Sequence, residues 1–286
     1  MSRTRATASL LRREFMALCT ALGWSAASRA DPRRQGAPTE EGLRIVTEEL
    51  PPYNFGSASG AQGMTGLSTQ VVQAVLQQLQ LSVPIQSMPW ARAYELARLN
   101  KDVLVYSIGR SAEREALFKW VGTIAPTDFY LFSHARHPVT LRRLEEARPY
   151  QVATVNEDIG EQFLEARGFV KGLNLQSSVR YEHNYDKLRR GRVDLWIMTE
   201  LAARYIARRS GDDPDRALHK SLALPELGSA WYMAFGNKTS DAQVERFRAA
   251  LDEVKRSGLY DQILQRWREG VEPAGALMAQ GRGGRR

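Results

Sequence analysis

Between Leu43 and Trp267 the sequence repeatedly alternates short apolar runs with longer amphipathic segments, and this pattern constrains the fold most strongly. Short apolar runs bounded by turn residues are typical of buried strands, whereas apolar residues at helical spacing are typical of helices packed on one face. Strands that alternate with helices build a mainly parallel sheet covered by helices. We therefore predict an α/β protein.

The pattern occurs twice along the chain. The first half gives predicted strands at 43–47, 83–88 and 103–108 and predicted helices at 68–80 and 90–99. The second half gives predicted strands at 152–155, 179–181, 195–198 and 231–235. Its predicted helices are one at 160–167, one that ends near 190, one at 200–209, and one or two within 241–267. About 240 residues suffice for two modest domains. We therefore expect two α/β lobes joined by crossing segments.

The first thirty residues have the pattern of a secretory leader. Several arginines precede an apolar run at 15–24, and Ser28 and Ala30 fit the small-residue positions of a cleavage site. The run is shorter than the ~20 residues that a spanning helix needs. We expect 1–30 to be a signal peptide that directs export to the periplasm, and 31–42 to be a flexible segment.

The export route and the single cysteine both concern this leader. Arg12-Arg13 followed by Glu14 has the twin-arginine form of a Tat signal, but a chance pair in a basic leader of the Sec type explains it as well. Cys19 is the only cysteine and lies in the apolar run. The mature chain would then contain no disulfide, no cysteine metal site and no cysteine nucleophile.

The basic charge of the chain is concentrated at its two ends. The formal net charge is +8, of which residues 1–30 contribute +4 and the three arginines of the C-terminal tail contribute +3. A nucleic-acid-binding protein keeps its basic excess on the folded surface, where it neutralises phosphates. We therefore expect no nucleic-acid partner, and we predict that 271–286 is a disordered tail.

Four segments in a fixed order carry a resemblance to a known family. They are Leu-Pro-Pro-Tyr-Asn-Phe at 50–55, the segment at 107–115, Gly-Arg-Val-Asp-Leu-Trp-Ile at 191–197, and the terminal segment at 258–267. The chain resembles the periplasmic solute-binding proteins of family 3, which capture polar amino acids and related small solutes for uptake. The resemblance covers nearly all of 43–268.

The resemblance implies a periplasmic-binding-protein type II fold with two lobes. The first lobe would comprise 43–130 and 229–270, and the second lobe 131–228. It implies that a small polar solute, such as an amino acid or another carboxylate, binds as the lobes close and is delivered to an ABC-type permease. We expect a monomer that uses no cofactor.

The resemblance places a ligand-carboxylate site in the segment that contains Ser107, Gly109, Arg110 and Arg114. A planar guanidinium can form two parallel charge-assisted hydrogen bonds with a carboxylate. Arg114 is the first choice as the carboxylate anchor, and Arg110 is the neighbouring competitor. The alternative for Arg114 is an exposed ion pair with an adjacent glutamate.

Aromatic side chains near the same elements are candidate pocket walls. Tyr53, Phe55, Trp90 and Tyr130 could bury ligand surface or attract an ammonium group, although lobe packing explains each of them as well. Tyr53 is the strongest candidate, because two prolines stiffen the loop that presents it. Glu49, which precedes this loop, completes the first-lobe set.

The chain departs from the amino-acid binders at two positions. In those proteins an acidic residue follows the Gly-Arg-x-Asp strand and takes the ligand's α-ammonium, whereas this chain has Thr199 followed by Glu200. Either Glu200 takes that role from a shifted register, or the ligand lacks an α-ammonium. In the second lobe, Asp158 lies where a Gly-Ser or Gly-Thr turn usually offers backbone N–H groups, so it is interpreted as a possible helix cap.

Two other functions remain as alternatives. Cyclohexadienyl dehydratases resemble these binding proteins in fold and would need a positioned acid and base. We favour a non-enzyme, because the four histidines lack metal-ligand spacing and the sequence contains no nucleophile elbow or phosphate loop. The third function is a free-standing sensor whose closed form is recognised by a membrane receptor.

Overall fold

The structure is a computed structural model, and it describes residues 42–56 and 63–268. The predicted signal peptide, all but the last residue of the predicted segment 31–42, and the predicted tail at 271–286 lie outside the described residues.

Short strands alternate with helices along the described chain. The strands are β1 (Arg44–Thr47), β2 (Phe55–Gly56), β3 (Met64–Thr65), β4 (Ile85–Ser87), β5 (Val103–Gly109), β6 (Phe118–Pro126), β7 (Phe129–His134), β8 (Val152–Val155), β9 (Leu175–Ser178), β10 (Leu195–Thr199), β11 (Leu218–Ala223) and β12 (Ala230–Gly236). The helices are α1 (Leu67–Gln78), α2 (Trp90–Leu99), α3 (Ala112–Glu115), α4 (Ile159–Glu165), α5 (Tyr181–Arg189), α6 (Glu200–Arg209), α7 (Pro214–Ala217), α8 (Asp241–Arg256) and α9 (Leu259–Arg268).

Two five-stranded sheets share one arrangement. The first has the order β4-β1-β5-β12-β6 and the second has the order β11-β7-β10-β8-β9. Three neighbouring strands in each sheet are parallel, while β12 and β7 run antiparallel to both of their neighbours. Four strands of each sheet therefore run in one direction and one strand opposes them. The prediction of mainly parallel sheets is confirmed.

The central strands occupy positions that their sequences favour. Every residue of β5 and every residue of β10 is buried, whereas the edge strand β4 is only partly buried. A strand covered by helices on both faces has no need of polar alternation, so a continuous apolar run marks the centre of such a sheet.

The chain crosses between the sheets twice. The first crossing lies between Pro126 at the end of β6 and Phe129 at the start of β7, and the second lies between Ala223 and Ala230. We call residues 42–126 and 230–268 the first lobe and residues 129–223 the second lobe. Tyr130, the last residue of the predicted first segment, lies in β7 of the second lobe.

Helix α1 is held against the loop at 50–55 by a close backbone approach. Gly66 precedes the helix with a φ of +118°, and a Cβ atom there would clash with the backbone of Tyr53. The N–H groups of Ser68 and Thr69 both donate to the Tyr53 carbonyl, at 2.8 and 3.2 Å. The first helical turn therefore fixes the loop that carries Tyr53.

The predicted strand at 179–181 is wrong. The strand is β9 at Leu175–Ser178, which lies at the edge of the sheet beside β8, and Tyr181 is the first residue of α5. Edge strands carry polar residues, and β9 has only one apolar residue. Val179 supplied the misleading apolar signal, but it is 61% exposed. The strand β11, at the opposite edge of the same sheet, was not predicted.

Candidate functional site

Arg114 lies buried where the two lobes meet. Its side chain is fully buried, and its Nε donates to Gln162 Oε1 at 3.1 Å. Its Nη2 donates to the Glu157 carbonyl oxygen at 3.0 Å, and its Nη1 donates to the Gly109 carbonyl oxygen at 3.2 Å. Gln162 and Glu157 belong to the second lobe. Because a buried charge is costly unless it is well paired, these contacts make Arg114 a direct link between the lobes.

Trp90 joins Arg114 at the same carbonyl oxygen. Its Nε1 donates to Glu157 O at 2.7 Å, and the guanidinium carbon of Arg114 lies 5.5 Å from its ring centroid and 5.0 Å from that of Tyr94. Burial lowers the pKa of Arg114, and the charge of Asp158 opposes this shift. Arginine titrates so far above neutrality that Arg114 remains a cation at this junction.

Close contact between the lobes favours glycine at position 109. A Cβ atom on Gly109 would clash with the side chain of Ile159, the first residue of α4. The carboxyl end of β5 therefore approaches the start of α4 closely. In open α/β sheets, ligands bind outside the carboxyl ends of the strands, so this is the expected position for a site.

A second buried cluster joins the lobes through one tyrosine hydroxyl. Tyr181 Oη lies 3.0 Å from Glu48 Oε1 and 3.0 Å from Asp158 Oδ2. Glu48 follows β1 in the first lobe, and the other two residues belong to the second lobe. All three side chains are buried.

Burial dominates the acid–base properties of this cluster. It raises the pKa of Glu48 well above the ordinary value, and the charge of Asp158 adds to the effect. Burial also raises the pKa of Asp158, although the Arg114 charge and the Ile159 N–H oppose the shift. The pKa of Tyr181 is raised well above the ordinary value by burial and by both carboxylates. In each case the cause is a charge removed from water.

Asp158 is the N-cap of α4. Its Oδ1 accepts a hydrogen bond of 2.6 Å from the N–H of Ile159, while its Oδ2 faces Tyr181. The predicted helix cap is therefore present, and the same carboxylate is linked through the Tyr181 hydroxyl to Glu48 of the first lobe.

Ser107 lies at a distortion in the middle of the first sheet. The pairs Tyr106–Met233 and Ile108–Tyr232 flank a register shift between β5 and β12, so Ser107 is the extra residue of a β-bulge. Its φ is +58°, and its buried Oγ has no hydrogen-bond partner among the described residues. Bulges and residues at positive φ cluster at functional sites because they redirect a side chain.

Tyr53 is fully buried in the first lobe, beside the first crossing between the sheets. Its hydroxyl donates to Pro126 O at 3.3 Å, and its ring packs edge-on against Trp231 with centroids 6.0 Å apart. Ser68 donates its N–H to the Tyr53 carbonyl, and Thr127 follows Pro126 in the chain. The hydroxyls of both residues are buried without a partner among the described residues. Buried hydroxyls without partners are costly, so they are candidates for contacts with a polar solute.

Glu49 and Phe55 line a cavity of about 250 Å³ at the edge of the junction, opposite residues of the second lobe. The rings of Phe55 and Tyr205 lie 5.8 Å apart. Both carboxylate oxygens of Glu49 accept from the N–H of Gly56 at 3.1 Å. Glu49 therefore braces the first-lobe loop beside this cavity.

The sequence matches one protein family along most of its length. The family model for bacterial extracellular solute-binding proteins, family 3, matches residues 43–270. The chain belongs to this family. Because the family consists of binding proteins, membership is consistent with the expectation of a non-enzyme. Among curated protein sequences, none matches this chain.

Solved structures of similar fold include a sensor domain as well as ligand-binding proteins. A histidine kinase sensor domain with similarity to periplasmic binding proteins is 19% identical, with a TM-score of 0.69 over 79% of this chain and 96% of that one. An ancestral arginine-binding protein bound to arginine is 18% identical, with a TM-score of 0.68 over 79% and 97%. The GluR0 ligand-binding core from Nostoc punctiforme, in complex with L-glutamate, is 15% identical, with a TM-score of 0.64 over 79% and 98%. The two-lobed periplasmic-binding-protein fold is confirmed.

Three predicted site residues of this solute-binding protein lie away from the Arg114 cluster. Arg110 is half-exposed on the surface, where its Nε donates to Glu115 Oε2 at 2.8 Å and its guanidinium lies over Trp120. Glu200 forms an ion pair with Lys220, whose ammonium lies 4.4 Å from the centroid of the Tyr130 ring. The sequence left two choices open, Arg110 or Arg114 and Thr199 or Glu200. In each pair one side chain is buried, Arg114 and Thr199, while the other lies in an ion pair with access to solvent.

The residues that sequence reasoning missed are Glu48, Glu157, Gln162 and Tyr181. A position-based signal existed for Glu48, because it directly follows β1 at the carboxyl edge of the sheet. Tyr181 had no usable signal, since its position was assigned to a strand. Glu157 contributes its backbone oxygen, so its side-chain chemistry gave no signal.

No metal site is evident within the described residues. Among them, no group of three or more His, Cys, Asp or Glu side chains is placed to hold a metal ion. His134 instead accepts at Nδ1 from the N–H of Arg136 at 3.1 Å. None of the helices in the described ranges is long and apolar enough to cross a membrane.

Proposed function

We propose that this protein is exported to the periplasm, binds a small polar solute between its lobes as a monomer without a cofactor, and delivers it to an ABC-type permease. Membership of the solute-binding family supports the general function. The observation that carries the site assignment is Arg114, a fully buried cation that reaches from the first lobe to Glu157 and Gln162 of the second.

Arg114 is suited to a carboxylate ligand by its unused donors. A guanidinium carries five N–H groups, and the contacts with Gln162, Gly109 and Glu157 use three of them. Two donors remain for a solute carboxylate, and a bidentate contact would be charge-assisted. The Arg114 contacts to the second lobe hold the lobes together around the solute.

Closure is the event that would couple binding to delivery. A solute that contacts both lobes binds the closed form better than the open form, and this difference in affinity raises the closed population. Groups from both lobes must therefore contribute. The buried hydroxyls of Ser68, Ser107 and Thr127 and the ring of Trp90 are the first-lobe and crossover groups that we assign to the solute, together with Arg114.

A thermal-shift screen of the mature protein tests this function. A ligand that binds only the native state raises the melting temperature by mass action. The screen covers amino acids, organic acids, small peptides and polyamines, and we expect a carboxylate-bearing solute to raise the melting temperature. A matched screen of Arg114→Ala identifies solutes that depend on the junction. If no compound stabilises the wild type, the proposal loses its main support.

The membrane partner requires a separate experiment. Capture of membrane proteins with and without the identified solute distinguishes a permease from a receptor. We expect a permease to be retained preferentially by the solute-bound protein. Retention of a sensor kinase instead would assign the protein to signalling.

A further inference from the structure

The hydrogen-bond geometry around Tyr181 requires one proton more than its hydroxyl supplies. The hydroxyl oxygen lies 3.0 Å from a carboxylate oxygen of Glu48 and 3.0 Å from one of Asp158. A phenol hydroxyl has one proton to donate, and an ionised carboxylate only accepts. With both carboxylates ionised, one of these contacts would place two oxygen atoms together with no hydrogen between them.

The surroundings assign the extra proton to Glu48. Two contacts favour the anionic form of Asp158 and oppose the effect of its burial: its Oδ1 accepts from the Ile159 N–H, and the Arg114 charge lies nearby. Within the described residues, the Glu48 carboxyl has Tyr181 as its hydrogen-bond partner. A protonated Glu48 donates to the Tyr181 oxygen, and Tyr181 then donates to Asp158, so both contacts become hydrogen bonds.

We propose that Glu48, Tyr181 and Asp158 form a proton-linked latch between the lobes, in which closure takes up one proton from solvent at Glu48 and opening releases it. The latch rests on the proposed function, since it requires that the lobes open and close. Glu48 belongs to the first lobe and its two partners to the second, so the three-residue chain exists only when the lobes are together.

Charged and titratable groups from both lobes act on the latch. Asp158 and Glu182 raise the pKa of Glu48, while Arg114 and the hydrogen bond from Tyr181 lower it. Glu161 raises the pKa of Asp158. Burial is the largest contribution for both carboxyls, so the closed form holds the proton more tightly than a solvent-exposed glutamate does.

The direction of the pH dependence follows from these shifts. In the open form Glu48 would have the pKa of a solvent-exposed glutamate, and in the closed form burial raises its pKa above that value. Between these two values the closed form binds more protons than the open form. Closure is therefore favoured at low pH and becomes less favourable as pH rises through this window, with the ratio of closed to open protein falling about tenfold per pH unit.

Spin labels on the two lobes measure this ratio without any solute. Gln78 on α1 and Arg192 before β10 are exposed positions on different lobes, and each can be changed to cysteine in a chain that also carries Cys19→Ser. Inter-label distances are recorded by pulsed electron paramagnetic resonance over a pH series from about 4 to about 9. We expect the long-distance, open population to grow as pH rises.

Two variants and one control separate the latch from other pH effects. Glu48→Gln keeps an N–H donor for Tyr181 but does not titrate, so its distances should no longer depend on pH. Tyr181→Phe removes the bridging hydroxyl and should enlarge the open population at low pH. Glu95→Gln changes an exposed glutamate of the same lobe and should retain the wild-type response. A pH-independent wild type, or a response that survives in Glu48→Gln, would overturn the proposal.

A direct titration keeps the test valid if Glu48→Gln does not fold. Carboxyl carbon-13 spectra of wild-type protein labelled at glutamate should contain one resonance that titrates above the ordinary glutamate range at pH values where the protein is closed. If every glutamate titrates in the ordinary range, the latch is wrong. If the thermal-shift screen finds a solute but the inter-label distances do not respond to pH, the latch is wrong and the transport function stands. If the distances respond to pH but the screen finds no solute, the latch stands and the transport function loses its support.

Discussion

Arg110 and Arg114 belong to one short segment of the first lobe, yet they lie in opposite environments. Arg110 is 41% exposed at its side chain and pairs with Glu115, which is itself 51% exposed. Arg114 is fully buried and donates to two residues of the other lobe. An arginine at the junction therefore differs from an arginine in a surface ion pair by its burial and by the lobe to which its partners belong, since the residue type is the same.

Replacing Arg114 should produce the largest effect. Arg114→Ala removes three hydrogen bonds and leaves Asp158 buried without its nearby cation, so we expect a loss of about 3 to 5 kcal/mol in the free energy of unfolding. Denaturant unfolding measures this loss. Arg114→Lys retains the charge but not the planar set of donors, and it should recover only part of the stability. A loss as small as that of a surface arginine would contradict the junction assignment.

Filling the space at Gly109 should have a smaller effect on the same junction. The added Cβ of Gly109→Ala meets the Cδ1 atom of Ile159, so we expect a cost of about 1 to 3 kcal/mol and a larger open population. Inter-lobe distance and denaturant unfolding measure the two consequences.

Ile159→Val removes the atom that the new methyl group would meet. The double variant should therefore be more stable than the sum of the single changes predicts, as a double-mutant cycle would show. Additive losses would mean that Gly109 and Ile159 do not contact each other in solution.

The smallest effect is expected at Arg110. Arg110→Ala breaks one solvent-exposed ion pair, so its cost should be below about 1 kcal/mol and should shrink further at high salt. Affinity for any solute found in the screen should be unchanged. A loss of solute affinity equal to that of Arg114→Ala would reverse the comparison between the two arginines.

Local sequence patterns were sufficient for the elements whose environment is uniform along their length. The continuous apolar runs of β5 and β10 predicted central strands, and the helical spacing of apolar residues predicted α2 and α8. The edge strand β9 has one apolar residue, and the apolar residues of the edge strand β11 are separated by His219, Lys220 and Ser221, so neither strand gives such a signal. Because Val179 is apolar although exposed, the strand was predicted at 179–181 instead of 175–178.

The candidate site was only partly accessible from sequence for a different reason. Arg114 was predicted through a family resemblance and Trp90 as an aromatic pocket wall, and the structure brings them together at one oxygen atom. The contact between Glu48 and Tyr181 spans 133 positions along the chain and two lobes. No local pattern encodes such a contact, because each residue alone is an ordinary helix-start or strand-end side chain.

The oxygen shared by Trp90 and Arg114 is the main-chain carbonyl of Glu157, a residue with a φ of +61°. A contact between lobes that is made to a backbone oxygen tolerates changes of side chain, but it depends on the backbone conformation at that residue. Glycine or asparagine, which adopt positive φ easily, should preserve this fastening at position 157, whereas a β-branched residue should loosen it. Natural variants at this position can therefore be ranked by conformational preference rather than by chemical similarity to glutamate.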